Sequence, residues 1–187
     1  MIAGVLLAAG GARRFGSQKL VAPFDNAPLV WHAAAALARS TDALVIVVGH
    51  EADAVRAAVR DVDASIVVNP DWRQGLSSSL KCGIASLPAD AEAIVVALGD
   101  QPRIDPLVVR SLVHEWRSSG KPIVTARYRG ERGHPVLFDR SVFPQLAALR
   151  GDVGARTIFE QSPDQVAYVD VDDAVPADFD TIEDLEM

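Results

Sequence analysis

Three basic side chains follow a glycine pair near the start of the chain, where together they could bind a polyphosphate. Arg13, Arg14 and Lys19 lie within seven residues of one another, directly after Gly10-Gly11. Glycine can take positive φ and lets the backbone approach a ligand closely, and loop amides backed by cations bind phosphate. This local positive charge stands out in a chain whose net charge is −7. The pattern predicts a triphosphate-binding loop; a glycine-rich surface turn with solvated arginines is the alternative.

Two better-known phosphate loops do not fit this stretch. Gly11 and Gly16 have the glycine spacing of a Walker A loop, but Ser17 follows them and Lys19 comes two residues late. A dinucleotide fingerprint needs G-x-G-x-x-G and an acidic residue that closes the second strand. Here that glycine spacing is missing, and the second apolar strand ends at Gly49-His50.

A second polar segment, residues 69–80, places three serines at the start of a predicted helix that runs to about residue 87. Gly75 allows a tight turn before them. Exposed hydroxyls of Ser77, Ser78 and Ser79, with the free amides of a helix N-terminus, could bind an anion or the edge of a base. Ordinary helix capping explains the serines equally well, so on composition both interpretations stay open.

Asp100 follows an apolar strand, residues 93–98, and is predicted to be a metal ligand. Ligands of open α/β sheets bind at the carboxyl ends of the strands. Mg²⁺ prefers one or two carboxylates together with phosphate oxygens and water. An Asx turn or a helix cap is the structural alternative, but Asp105 is better placed to cap the helix over residues 106–116.

An acidic tail contains Asp178 and Asp180, which a strand would direct to one side. Next to a triphosphate such a pair would be repelled unless a divalent cation lay between. The pair is therefore predicted either to ligate metal opposite Asp100, with Asp180 favoured and Asp178 secondary, or to accept hydrogen bonds from N–H groups of a substrate. The alternative is that both are solvated surface acids, as acidic runs usually are. Thr181 and Asp184 have the spacing of a capping box for a short closing helix.

The alternation of apolar strands and helices predicts an α/β fold: a three-layer, doubly wound, mostly parallel sheet. Predicted strands are residues 2–9, 43–49, 64–69, 93–98, 123–126, 166–171 and an apolar stretch after Pro135; predicted helices include residues 29–39, 51–60 and 106–116. At 187 residues the chain is expected to form one domain, 1–187, with a large core.

The amino-acid composition limits which binding partners and cellular locations are expected. The net charge of −7 argues against nucleic acid. Cys82 is the single cysteine and cannot form an internal disulfide, which favours a reducing, cytoplasmic location. The first apolar run lacks a basic leader and is too short to span a bilayer, so no membrane association is expected.

Residues 7–19, L-A-A-G-x-x-R-R-F-G-x-x-K, resemble the signature loop of the nucleotidyltransferases that build the nucleotide form of the molybdenum cofactor, and more narrowly the molybdenum cofactor cytidylyltransferases. The similarity extends over about residues 2–186. It continues through N-x-x-W-x-x-G-L-x-x-S-L, D-Q-P, R-G-x-x-G-H-P-V and G-D-x-G-A-R, which begins at Gly151. In the closing D-x-D-T-x-E-D-L, Ile182 replaces the usual proline.

The resemblance implies a nucleotide-diphospho-sugar transferase type of fold and assigns the site residues. Arg14, Lys19 and Asp100 would be catalytic, and Mg²⁺ would be held by Asp100, Asp180 and Asp178. Substrate-binding residues would be Leu7, Ala8, Ala9, Gly10, Gly11, Lys19, Gly75, Ser78, Ser79, Gln101 and His134. His134 would line the acceptor pocket without acting as an acid or base, because an acceptor phosphate is already ionised at neutral pH.

The implied reaction transfers CMP from CTP to the phosphate of molybdopterin and releases pyrophosphate. CTP and molybdenum cofactor would be the substrates, and a molybdoenzyme could be the client. Guanylyl relatives read L-A-G-G where this chain has a methyl at Ala9, which crowds the space of a purine. Alternatives are guanylyl transfer, another acceptor such as a sugar phosphate or a phospholactate-like acid, or a non-catalytic cofactor chaperone.

Overall fold

The computed structural model describes residues 1–11, 19–151 and 156–179. The strands are β1 (Ile2–Ala8), β2 (Pro23–Phe24), β3 (Ala27–Pro28), β4 (Ala43–Val48), β5 (Ser65–Val68), β6 (Ala93–Leu98), β7 (Ile123–Tyr128), β8 (Glu131–Asp139) and β9 (Val166–Val171). The helices are α1 (Leu29–Ala38), α2 (Ala52–Ala58), α3 (Leu76–Ala85), α4 (Pro106–Ser119), α5 (Phe143–Ala148) and α6 (Arg156–Gln161).

Seven of these strands form one twisted sheet in the order β5-β4-β1-β6-β8-β7-β9. The pairs β4–β5, β1–β4, β1–β6 and β7–β9 are parallel, and β8 is antiparallel to both of its neighbours. The predicted class, a mostly parallel α/β sheet, is confirmed.

Helices cover both faces of the sheet because its central strand is apolar on both sides. Along β1, Ile2 and Leu6 face the layer of α1, α2 and α4. Val5 and Leu7 face the layer of α3, α5 and α6. The alternation follows the two-residue period of a strand, and it explains why all seven residues of β1 are buried.

The antiparallel strand β8 brings a distant segment to the ligand edge of the sheet. Val136 pairs with Val96 and Asp139 with Ala93. The beginning of β8, with His134, therefore lies beside the carboxyl end of β6, which leads into Asp100. The prediction placed a strand after Pro135, but strand and helix alternation does not indicate that it inserts antiparallel between β6 and β7.

The end of the described chain corrects one prediction. Residues 174–179 carry no regular secondary structure, so the strand expected at Asp178 and Phe179 is wrong. Backbone groups of this segment instead bond to the loop after β6, as described below. Along the described ranges, no helix combines the length and the apolar composition that a bilayer crossing requires.

Candidate functional site

The turn after β1 opens into a cleft of about 500 Å³ at the carboxyl edge of the sheet. Its lining residues are Leu7, Ala9, Gly10, Gly11, His50, Trp72, Arg73, Gly75, Leu76 and Ser79. Neither Gly10 nor Gly11 has a φ in the left-handed region, so positive φ is not the reason for this pair. A side chain on Gly10 would meet no atom of the described residues within 4 Å, so within that part of the chain the backbone there is open to a ligand.

Close packing at Gly49 fixes the geometry of this cleft. The amide of His50 donates to the carbonyl oxygen of Ala9 at 3.0 Å. A Cβ on Gly49 would lie 2.8 Å from that oxygen and 2.7 Å from Cβ of Trp72. Only glycine therefore lets the ends of β1 and β4 and the Trp72 turn meet this closely.

One wall of the cleft is aromatic and cationic. The His50 and Trp72 rings are 5.1 Å apart, and the Arg73 guanidinium lies 4.4 Å from the centre of a Trp72 ring. The sequence analysis did not select His50 or Arg73 as site residues. The signal for His50 was its position directly after β4, at the edge where ligands bind.

The serines at the start of α3 differ from the prediction in two respects, their exposure and their part in capping the helix. Ser77 and Ser79 are buried, so the expected exposed hydroxyls are absent at those two positions. The N-cap is Gly75 with φ 100°, and no side chain caps the helix. Asn69 Nδ2 donates to the hydroxyls of Ser78 at 2.9 Å and Ser79 at 3.1 Å. This network holds the turn against the cleft, and Ser79 lines the cleft as well.

Lys19 and Asp100 form an ion pair at the carboxyl edge. Lys19 Nζ lies 2.8 Å from Asp100 Oδ2, and their side chains are 11% and 25% exposed. Lys19 follows the first loop, and Asp100 follows β6. The structure thus brings together two residues that the sequence analysis predicted to act in one site. Their charges compensate each other in a partly desolvated place, where Coulomb interactions are stronger than in water.

The predicted metal ligands lie partly within the described residues. Asp178 Oδ1 accepts a hydrogen bond from Gln101 Nε2 at 2.7 Å, and the amide of Phe179 donates to the Asp100 carbonyl oxygen at 3.3 Å. The tail therefore reaches the loop that carries Asp100. Arg14 and Asp180, like Asp152 and the capping box at residues 181–184, lie outside the described residues.

His134 is a partly buried neighbour of this loop. Desolvation lowers the pKa of its imidazole to about 4, and the nearby Asp100 carboxylate partly opposes that shift. Tyr128 donates its hydroxyl to the His134 carbonyl oxygen at 2.9 Å. The imidazole is therefore neutral at pH 7.

Replacing His134 by glutamine should flatten the pH dependence of folding between pH 4 and 6.5. The unfolded imidazole binds a proton near pH 6.5 and the folded one near pH 4. Wild-type stability is therefore lost as the pH falls through that window. One pKa unit is worth about 1.4 kcal/mol, and the ring is only partly buried, so we expect a loss on the order of 2 kcal/mol. Urea unfolding of both proteins at several pH values measures it; parallel curves would contradict the assignment.

The sheet, the glycine-lined cleft and the lysine–aspartate pair at the strand ends define a nucleotidyltransferase type of α/β protein. Residues 4–166 match the family model of the MobA-like NTP transferase domain. The chain belongs to this family.

Two relatives illustrate the range of proteins that this chain resembles. It is 35% identical to nicotine blue oxidoreductase of Paenarthrobacter nicotinovorans, over 98% of this chain and 94% of that protein. It is 29% identical to the bifunctional protein GlmU of Kineococcus radiotolerans, of which it spans 35%. Neither similarity is specific for molybdenum cofactor cytidylyltransferases.

Two solved structures share the fold closely. A homologue of Mycobacterium tuberculosis Rv0371c from Mycobacterium sp. strain JC1 has a TM-score of 0.90 and 38% identity, covering 99% of this chain and 93% of that one. Rv0371c of Mycobacterium tuberculosis in complex with manganese has a TM-score of 0.85 and 33% identity, covering 99% and 98%.

Proposed function

We propose that this protein transfers the CMP group of CTP to the phosphate of molybdopterin and releases pyrophosphate. The observation that carries the proposal is the Lys19–Asp100 pair at the carboxyl edge of the sheet. Membership of the MobA-like NTP transferase family supports nucleotidyl transfer. The choice of CTP and of the molybdenum cofactor rests on the resemblance of the sequence motifs.

For this reaction the protein must hold the two substrates in line and supply positive charge next to the phosphates. An oxygen of the acceptor phosphate attacks the α-phosphorus in line, a new P–O bond forms, and the bond to the β-phosphate oxygen breaks. The electron pair leaves with pyrophosphate. No general base is needed, which agrees with the pKa of about 4 that makes the His134 imidazole a weak proton acceptor. Lys19 would stabilise the charge that develops on the departing pyrophosphate, and the open backbone at Gly10 would receive the triphosphate.

A divalent cation fits this site if it arrives with the nucleotide. Among residues 1–11, 19–151 and 156–179, no three His, Cys, Asp or Glu side chains are grouped so as to hold a metal by themselves. Mg²⁺ needs only one or two carboxylates when phosphate oxygens and water complete its shell. Asp100, with Asp178 close by, would supply them, and the manganese complex of Rv0371c supports a divalent ion in a related protein. Bound there, the ion would neutralise charge on the triphosphate.

Gln101 offers a contact for the acceptor. Its side chain is buried, and its Oε1 has no hydrogen-bond partner among residues 1–11, 19–151 and 156–179. A buried acceptor left unpaired costs about 1–3 kcal/mol. We propose that an N–H group of the pterin donates to this oxygen.

Replacing Ala9 by glycine should weaken the preference for CTP over GTP. Ala9 is buried and lines the cleft, and under this proposal its methyl group would occupy space that a purine needs. One methyl group in a pocket is worth about 1–3 kcal/mol of discrimination, so we expect the ratio of kcat/KM values to fall about tenfold or more. Competition assays with both nucleotides measure the ratio. A wild-type preference for GTP would contradict the argument.

Pyrophosphate release tests the function directly. The protein is mixed with Mg²⁺, molybdopterin and each of the four nucleoside triphosphates in turn, with molybdopterin omitted as the control. Release that depends on both CTP and molybdopterin is the expected result. Turnover with another nucleotide or another phosphorylated acceptor would replace the substrate assignment. Tight pterin binding without turnover would favour the chaperone alternative.

The relative named nicotine blue oxidoreductase suggests a second candidate, an oxidoreductase that acts on nicotine blue. Its specific support is 35% identity along nearly all of both chains. The absence of a G-x-G-x-x-G fingerprint from the sequence speaks against a conventional dinucleotide site. Oxidation of NADH or NADPH in the presence of nicotine blue, with no pyrophosphate release in the first assay, would favour this candidate.

A further inference from the structure

A small apolar cluster stands apart from the two large cores of the sheet. It consists of Phe24, Leu29 and Phe179, which are 6%, 0% and 6% exposed. The Phe24 and Phe179 rings meet edge to face, with their centres 5.0 Å apart, a preferred arrangement for an aromatic pair. This contact joins the hairpin after the first loop to the last part of the described chain.

Phe179 also bonds to the loop that carries Asp100. Its amide donates to the Asp100 carbonyl oxygen at 3.3 Å. One residue earlier, Asp178 accepts from Gln101 Nε2 at 2.7 Å, and Pro176 accepts from the same nitrogen at 3.4 Å. Arg103, at the far end of that loop, lies over the Phe24 ring at 5.8 Å. The loop after β6 is thus attached to the tail and to the hairpin.

These contacts connect Lys19, the hairpin, Phe179 and Asp100 in a closed series around the ion pair. Lys19 bonds to Asp100 through its side chain, and its carbonyl oxygen accepts from the amide of Ala22, next to the hairpin. In the hairpin, the aromatic ring of Phe24 contacts that of Phe179. The amide of Phe179 then donates to the carbonyl oxygen of Asp100, which closes the set of contacts. The position of the Asp100 carboxylate is therefore fixed from two sides, by its own side-chain partner and by its backbone.

We propose that Phe179 is a positioning residue, whose ring on Phe24 holds the loop after β6 where the Asp100 carboxylate can serve the nucleotide site. The inference rests on the proposed function, in which Asp100 receives the divalent ion that accompanies CTP. Without the aromatic ring, the tail loses its side-chain contact with the hairpin, and only the backbone bond from residue 179 to Asp100 and the bonds to Gln101 still hold the tail against the loop after β6. The loop would then visit other conformations, and only a fraction of molecules would present the carboxylate correctly.

The test compares two variants of Phe179 with a buried phenylalanine elsewhere. Phe179→Ala removes the ring, and Phe179→Leu keeps part of its bulk. The control is Phe138→Leu: Phe138 is 1% exposed and pairs with Ile94, at the other end of β6 from Asp100. Amide hydrogen exchange reports the mobility of residues 99–105. Isothermal titration calorimetry, with preformed Mn²⁺–CTP as the titrant and metal-free CTP as the control, gives the Kd of the protein for the Mn²⁺–CTP complex.

We expect Phe179→Ala to speed exchange in residues 99–105 and to raise the Kd for Mn²⁺–CTP at least tenfold, with a smaller rise for Phe179→Leu. Phe138→Leu should lower Tm but leave the Kd within twofold of wild type. An unchanged Kd in both Phe179 variants would overturn the positioning role, even with faster exchange. If the wild type itself binds no Mn²⁺–CTP, the proposed nucleotidyl transfer fails. In that case the amide hydrogen exchange of residues 99–105 alone tests whether Phe179 holds the loop. Unchanged exchange rates in the Phe179 variants would overturn this role as well.

Discussion

Replacing Lys19 by methionine is expected to lower kcat/KM for CTP by about 10- to 150-fold, because a charge-assisted contact to phosphate is worth about 1.5–3 kcal/mol. The side chain is 11% exposed and directed at Asp100, so its charge acts in a partly desolvated place. A contact that strengthens in the transition state would lower kcat and kcat/KM together. Steady-state kinetics with CTP and saturating acceptor separates the two parameters.

Lys121→Met is the matched control for this prediction. Lys121 precedes β7, at the amino edge of the sheet, and its Nζ donates to the Asp164 carbonyl oxygen at 2.6 Å. Lys121→Met removes one positive charge, as Lys19→Met does, so the net charge changes equally in both variants. A Lys19→Met enzyme with the kcat/KM of the control would remove Lys19 from the site.

Replacing Gly49 by alanine is expected to destabilise the fold by about 2–3 kcal/mol and to disrupt nucleotide binding. The new Cβ would lie 2.7 Å from Cβ of Trp72 and 2.8 Å from the Ala9 carbonyl oxygen. Neither atom belongs to a flexible side-chain end, and overpacking of this kind typically costs 1–3 kcal/mol. The first loop and the Trp72 turn would have to separate. Urea unfolding measures the stability, and calorimetry with CTP measures the binding.

Gly10→Ala separates crowding within the protein from crowding against the ligand. Within the described ranges no atom lies within 4 Å of the new Cβ, so the free energy of unfolding should stay within about 0.5–1 kcal/mol of wild type. Affinity for CTP should nevertheless fall if the backbone at Gly10 receives the triphosphate. Equal destabilisation by the two substitutions would refute the packing argument at Gly49.

The fold could be predicted from the sequence wherever the strand signal was local. The apolar run of β1 was predicted at residues 2–9 and is found at Ile2–Ala8. Asp105 was predicted to cap α4, and its carboxylate accepts from the Leu107 amide at 2.7 Å. The antiparallel insertion of β8 was not predicted, because neither face of a buried strand shows which neighbour it pairs with.

The site was predicted less completely because its contacts join distant segments. Lys19 and Asp100 were selected for charge and for their place after strands, and they do meet. His50 and Arg73 were missed, since their role as a wall depends on how the Trp72 turn folds onto β4. Phe179 was missed because one aromatic residue in an acidic tail has no periodicity that marks it as buried. The catalytic, binding and metal roles stay predictions for the experiments above.

The contact between Phe24 and Phe179 sets the order in which this protein becomes competent during its synthesis. Strands β1, β4, β5 and β6 are neighbours in the sheet and all precede Gly99 in the chain. Because synthesis runs from the N-terminus, these four strands leave the ribosome before Phe179 has been translated. The contacts of Phe179 with Phe24 and with the Asp100 carbonyl oxygen can form only afterwards. A nascent chain that has not yet reached Phe179 therefore cannot make these contacts, and we expect nucleotide turnover only after the segment with Phe179 has been made.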